Sequence, residues 1–86
     1  MARTPIHPGE FLRDELEELG VTAAELGRRI HVPASRVRQI LAGKRNLTAE
    51  TALRLGRWFG TGPDLWLKSQ KAYELDLVRQ RPRVTT

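Results

Sequence analysis

Residues Glu25–Thr48 read ELGRRIHVPASRVRQILAGKRNLT, and two features of this stretch decide the fold. The first is punctuation. A short helix opens at TAAE (22–25), where the Thr22 hydroxyl can take a backbone N–H and Glu25 can return the bond, a capping box. Leu26 and Ile30 close one face of it, and HVP (31–33) follows. A second helix then opens at PAS (33–35), carries Val37, Ile40 and Leu41 at core spacing, and stops at Gly43. A connection of about three residues is that of a helix-turn-helix, which sets its two helices near a right angle. The second feature is charge. No carboxylate lies between Glu25 and Glu50, yet Arg28, Arg29, Arg36, Arg38, Lys44 and Arg45 all do.

The flanking sequence extends the helical reading. Upstream, Pro8 suits a first helical turn and Gly20 a left-handed stop, with Leu12, Leu16 and Leu19 sharing a face and Phe11 beside them. Downstream, Thr48 caps a helix in which Ala52, Leu55 and Phe59 line up before Gly60. Pro63 and Asp64 begin a fifth helix with Leu65, Trp66, Leu67, Tyr73 and Leu77. No alternating run argues for a strand. The pattern predicts one compact all-α domain of five helices over residues 1–79, with 80–86 a loose tail that has little to bury.

Bulk composition narrows the function. At 86 residues, 40% hydrophobic and 29% charged, the chain suits a single small folded core. The absence of cysteine rules out disulfides and thiolate metal sites and suits a reducing cytoplasm. His7 and His31 lack a partner at ligand spacing, so no metal or other cofactor is expected. No segment has the length and apolarity of a membrane span or a secretory signal. No set of residues combines a nucleophile, a base and an orienting group, which argues against an enzyme.

The net charge of +5 is segregated: residues 1–27 hold six acidic groups against two basic, and residues 28–45 hold six basic and none acidic. Such segregation points to two partners of opposite sign; the plainer alternative is charge that only solvates helix faces. In a helix-turn-helix the second helix enters the DNA major groove while its neighbours grip phosphates. Ala34, Ser35, Arg38 and Gln39 lie off the core stripe. Arg38 offers a two-pronged donor to guanine, Gln39 a donor and acceptor to adenine, and Ala34 a methyl to thymine. Ser35 suits either a helix cap or a phosphate or base contact. Arg36, Lys44, Arg45 and Asn46 fit phosphate positioning, whereas Arg28 and Arg29 serve equally well as a solvated outer face.

The stretches HPGEFLRDELEELGVTAAELGRRIHVP and LAGKRNLTAETALRLGRWFGTGPDLWLKSQKAYEL cover most of the chain. Through them it resembles the HigA-type antitoxins, within the broad lambda-repressor-like (XRE) class of helix-turn-helix proteins. HPGE, GKRNLTAETALRLG and FGTGPDLWLKSQ make the resemblance specific. It implies a five-helix lambda-repressor-like fold in a small cytoplasmic homodimer that represses its own operon at an inverted repeat and silences a RelE-like mRNA-cleaving toxin. By position it implies base reading by Ala34, Ser35, Arg38 and Gln39, and phosphate contacts from Thr22, Arg36, Lys44 and Arg45, with Arg28 and Asn46 beside them. Leu65, Trp66, Leu67 and Tyr73 would serve the dimer. The acidic residues Glu10, Asp14, Glu17 and Glu18 are the expected contact for a basic toxin surface. Three positions depart from the class: Ala23 stands where glutamine is common, Gly27 where alanine is, and His31 where glycine is. A stand-alone regulator without a toxin, or a protein-interaction module with an incidental basic surface, remain as other readings of the same chain.

Overall fold

The computed structural model describes residues 4–81. Five helices run in the order α1 (Pro8–Leu19), α2 (Ala23–Ile30), α3 (Ala34–Leu41), α4 (Ala49–Phe59) and α5 (Asp64–Gln80), with no strand among the described residues. None of these helices is long and apolar enough to cross a membrane. The fifth helix continues through Gln80, one residue into the expected tail; residues 82–86 of that tail lie outside the described residues.

Helix boundaries follow local chemistry. Thr22 and Thr48 cap α2 and α4, their hydroxyls accepting from the N–H groups of Glu25 (3.1 Å) and Thr51 (3.2 Å). The expected capping box at α2 closes differently. The Thr22 hydroxyl donates to the Glu25 carboxylate (3.4 Å), a bond within the two side chains. At the other end of α2, His31 adopts φ 62°, ψ 44°, and the Val32 N–H closes back on the Gly27 carbonyl at 2.9 Å. The glycine-like departure at His31 is therefore a left-handed cap made by a residue with a β-carbon.

The core gathers Leu12 and Leu16 from α1, Leu26 and Ile30 from α2, and Val37 and Ile40 from α3. Ala52 and Leu55 of α4, Trp66 of α5, and Val32 and Leu47 from the connecting segments complete it. Trp66 is 1% exposed, packs between Phe11 and Phe59, and donates its indole N–H to the Thr61 hydroxyl at 3.2 Å. Its indole is thus spent inside the single chain, which corrects the expectation that it faces a second copy. Two leucines read as core-facing also emerge outside: Leu19 at the last residue of α1 (55% exposed) and Leu77 on α5 (39%). Both lie in the last turn of a helix, and the other described residues leave them uncovered.

Two glycines let helices meet backbone to backbone. A β-carbon at Gly9 would collide with the Ile40 carbonyl, so α1 rests directly on the end of α3. A β-carbon at Gly27 would fall 2.5 Å from the Val32 carbonyl, which explains why glycine replaces alanine within this helix-turn-helix.

Candidate nucleic-acid interface

Helix α3 is anchored by Val37 (1% exposed) and Ile40 (2%), and this alternation turns Ser35, Arg36, Arg38 and Gln39 toward solvent. Ala34 is half-buried at the start of the helix. Pro33 occupies the N-cap position with no side-chain cap, so Ser35 is not the cap and its hydroxyl stays on the exposed face. Beyond α3 the chain turns through Gly43. The Gly43 N–H donates to the Ile40 carbonyl (3.0 Å) and the Lys44 N–H to the Gln39 carbonyl (2.9 Å), leaving Lys44, Arg45 and Asn46 fully on the surface. Thr22, at the start of α2, and Arg28 and Arg29, near its end, are exposed as well.

From Ser35 to Asn46 the exposed residues include no carboxylate, whereas Thr22 stands beside the Glu25 carboxylate to which it is bonded. The ion pairs of the described residues lie elsewhere, Arg54 with Glu50, Lys71 with Glu74 and Arg79 with Asp76. Arg36, Arg38 and Lys44 have no acidic partner among the described residues, so their charge is available to an incoming anion. One internal bond crosses the surface: Arg45 Nε donates to Gln39 Oε1 at 2.8 Å. It joins a residue read as base-contacting to one read as phosphate-contacting.

The remaining expected residues separate by place. Glu10, Asp14, Glu17 and Glu18 are all exposed on α1. On α5, Leu65 is exposed and Leu67 and Tyr73 are half-buried, while Leu75 (49%) and Val78 (53%), which the sequence reading passed over, join Leu77 as exposed apolar side chains. Sequence reasoning also missed two buried polar side chains next to the basic loop. His7 is 5% exposed and caps α1, its Nδ1 accepting the Gly9 N–H at 2.9 Å. Burial holds its pKa below the ordinary imidazole value, against the opposing pull of the Arg45 backbone and the Glu10 carboxylate. Gln70 is 3% exposed, and its Oε1 accepts the Leu47 N–H at 2.9 Å. Its Nε2 donates to Glu74 at 2.9 Å, and this bond, ahead of the contact with Lys71, holds the Glu74 carboxyl below its usual value. A histidine directly before Pro8 was the available signal for the first. Gln70, set among charged residues, offered none.

Comparison with known proteins agrees with this geometry. A family described as a helix-turn-helix domain matches residues 9–66, from α1 into the first turn of α5. Virulence-associated protein I of Dichelobacter nodosus is 46% identical over 87% of this chain and 70% of its own length. An addiction module antidote protein of a HigA family from Coxiella burnetii superposes with a TM-score of 0.86 at 38% identity, covering 95% of this chain and all of that one. The antitoxin HigA of Pseudomonas aeruginosa, solved with the higBA promoter, gives a TM-score of 0.84 at 42% identity over 87% of this chain and 83% of that one. On these matches and its five-helix architecture, the chain belongs to the HigA-type antitoxin family, a branch of the helix-turn-helix proteins.

Proposed function

We propose that the chain is an operator-binding repressor and antitoxin that acts as a homodimer. Its α3 helices read successive major-groove faces of an inverted repeat roughly 34 Å apart. The observation that carries this reading is the exposed, carboxylate-free surface of Ser35, Arg36, Arg38, Gln39, Lys44, Arg45 and Asn46. Thr22 and Arg28 extend it as phosphate contacts, and Ala34 offers its methyl at the groove end of α3. The promoter-bound HigA relative supports the same docking. Self-association is supported by the apolar side chains α5 leaves uncovered: Leu65, Leu75, Leu77 and Val78, with Leu67 and Tyr73 beside them.

Neutralisation of a RelE-like mRNA-cleaving toxin is the second part of the reading. A nuclease that handles RNA presents a basic surface, and the exposed Glu10, Asp14, Glu17 and Glu18 of α1 complement it. The test is direct. The chain is titrated against its own upstream region and against a scrambled duplex, and it is co-expressed with the adjacent reading frame. Preference for the upstream region and co-purification of a small basic partner are expected. Equal binding to both duplexes removes the repressor reading. If reversing Asp14, Glu17 and Glu18 together to lysine leaves partner affinity unchanged, the acidic face is not the contact.

A further inference from the structure

The Gly43–Asn46 segment carries much of the proposed phosphate grip but has no regular structure of its own. Its start is fixed by the hydrogen bonds that close α3, described above. Its end is fixed from a distant element: Leu47 itself is 4% exposed, and its N–H is taken by buried Gln70 of α5. Between these ends the segment lies over His7. His7 Cγ and Cβ stand 3.8 and 3.9 Å from where a Gly43 β-carbon would project, and the Arg45 backbone lies close enough to the ring to favour its protonated form. The ring's Nε2 is buried and makes no well-formed hydrogen bond among the described residues. The ring is braced by α5 as well, with Tyr73 packed edge-on at 4.8 Å between centroids and 70° between planes.

We infer that His7 and Gln70 are positioning residues for DNA binding: with Tyr73 they form a floor that holds the Gly43–Asn46 loop in its phosphate-gripping shape and ties that shape to α5. Neither touches nucleic acid. Hydrogen bonds to phosphate oxygens weaken steeply with small errors in distance and angle, so a loop that loses its floor loses contacts without any loss of charge. Because α5 is also the helix offered for self-association, whatever seats α5 also seats the loop. This inference rests on the DNA-binding reading.

The experiment separates support of the loop from support of the fold. In His7→Asn, asparagine is itself a strong N-cap, so α1 keeps its cap while the imidazole floor is gone; His7→Ala loses both. In Gln70→Met the shape is kept and the Leu47 acceptor is lost. Affinity is measured by fluorescence anisotropy across a salt series on operator and scrambled duplexes, with thermal unfolding in parallel. For His7→Asn and Gln70→Met the expected result is affinity down roughly tenfold on both duplexes, with a shallower salt dependence. His7→Asn should unfold near the wild-type temperature. If His7→Asn restores both the unfolding temperature and the wild-type salt slope, His7 is only a helix cap and the inference fails. Amide exchange on the unaltered protein gives a readout that does not depend on any variant folding. Protection at Lys44 and Leu47 supports a held loop, and exchange as fast as an open chain overturns it. Failure of the wild-type chain to bind either duplex would instead sink the DNA-binding reading itself.

Discussion

Arg45 and Gln39 are bonded to each other across the exposed surface of α3, Nε to Oε1 at 2.8 Å. A glutamine that reads adenine needs its oxygen as acceptor and its NH2 as donor. In the free protein the oxygen is already engaged, so Arg45 presets the side chain with its donor end outward. Loss of either partner then alters the other, and the two substitutions should not add. In a double-mutant cycle of Gln39→Ala and Arg45→Ala, a coupling of about 0.5–3 kcal/mol in operator affinity is expected. Additive losses would show that each acts alone.

Arg38 and Lys44 test the division between reading and gripping. Arg38→Ala should cost about 1–3 kcal/mol at one preferred base pair and relax specificity there. Lys44→Ala should weaken operator and random duplexes alike and flatten the salt dependence. Binding measured against single-base-pair operator variants distinguishes the two patterns. A uniform loss for Arg38→Ala would remove it from the base-reading set.

The left-handed backbone at His31 makes a stability prediction. A side chain with a β-carbon at φ 62° is strained, and glycine removes that strain at some cost in unfolded-chain entropy. His31→Gly should raise the unfolding free energy by about 0.5–1 kcal/mol in denaturant titrations. Gly27→Ala should act in the opposite sense. Its methyl would meet the Val32 carbonyl at 2.5 Å in the same turn, and a loss of about 1–3 kcal/mol is expected.

Acid should loosen the fold through His7. Its Nδ1 accepts the Gly9 N–H, which requires the unprotonated ring, and burial lowers its pKa from 6.5. Glu10 and the Arg45 backbone oppose that shift, the Tyr73 ring packs against the imidazole, and burial outweighs the opposing groups. Below 6.5 the unfolded chain binds this proton more readily than the folded chain. The contribution is therefore complete above 6.5 and shrinks as pH falls toward the folded value. The slope from one such proton is at most about 1.4 kcal/mol per pH unit. Unfolding free energies of wild type and His7→Asn, close to each other at pH 7, should separate toward pH 5, because only wild type loses stability as its histidine takes up a proton. Parallel curves would contradict the assignment.

The helices and their stops were legible because each rests on near neighbours. Thr22, Thr48, Gly20 and Gly60 act within one turn, and Leu12, Leu16, Val37 and Ile40 announce themselves by spacing. The basic surface was legible for a related reason, since charge of one sign in a short segment stays local however the helices pack. What the sequence concealed depends on contacts between distant residues. Trp66 looks like any aromatic on an amphipathic helix until Phe11 and Phe59 close over it. Gln70 gains its meaning from Leu47, 23 residues away, and His7 from a loop and a helix beyond its own. The exposed end of α5 was hidden by arithmetic of another kind: Leu77 keeps helical register with the core residues, but by that turn the core has ended.

Val37 and Ile40 alone among the residues of α3 are fully buried, so the outward positions carry no folding duty. On the proposed reading, the address is therefore separable from the chassis. If Ser35, Arg38 and Gln39 read the operator as proposed, a new preference would be installed there with no compensating change indoors, and duplicated copies of such a gene would be free to drift apart in target while keeping one architecture.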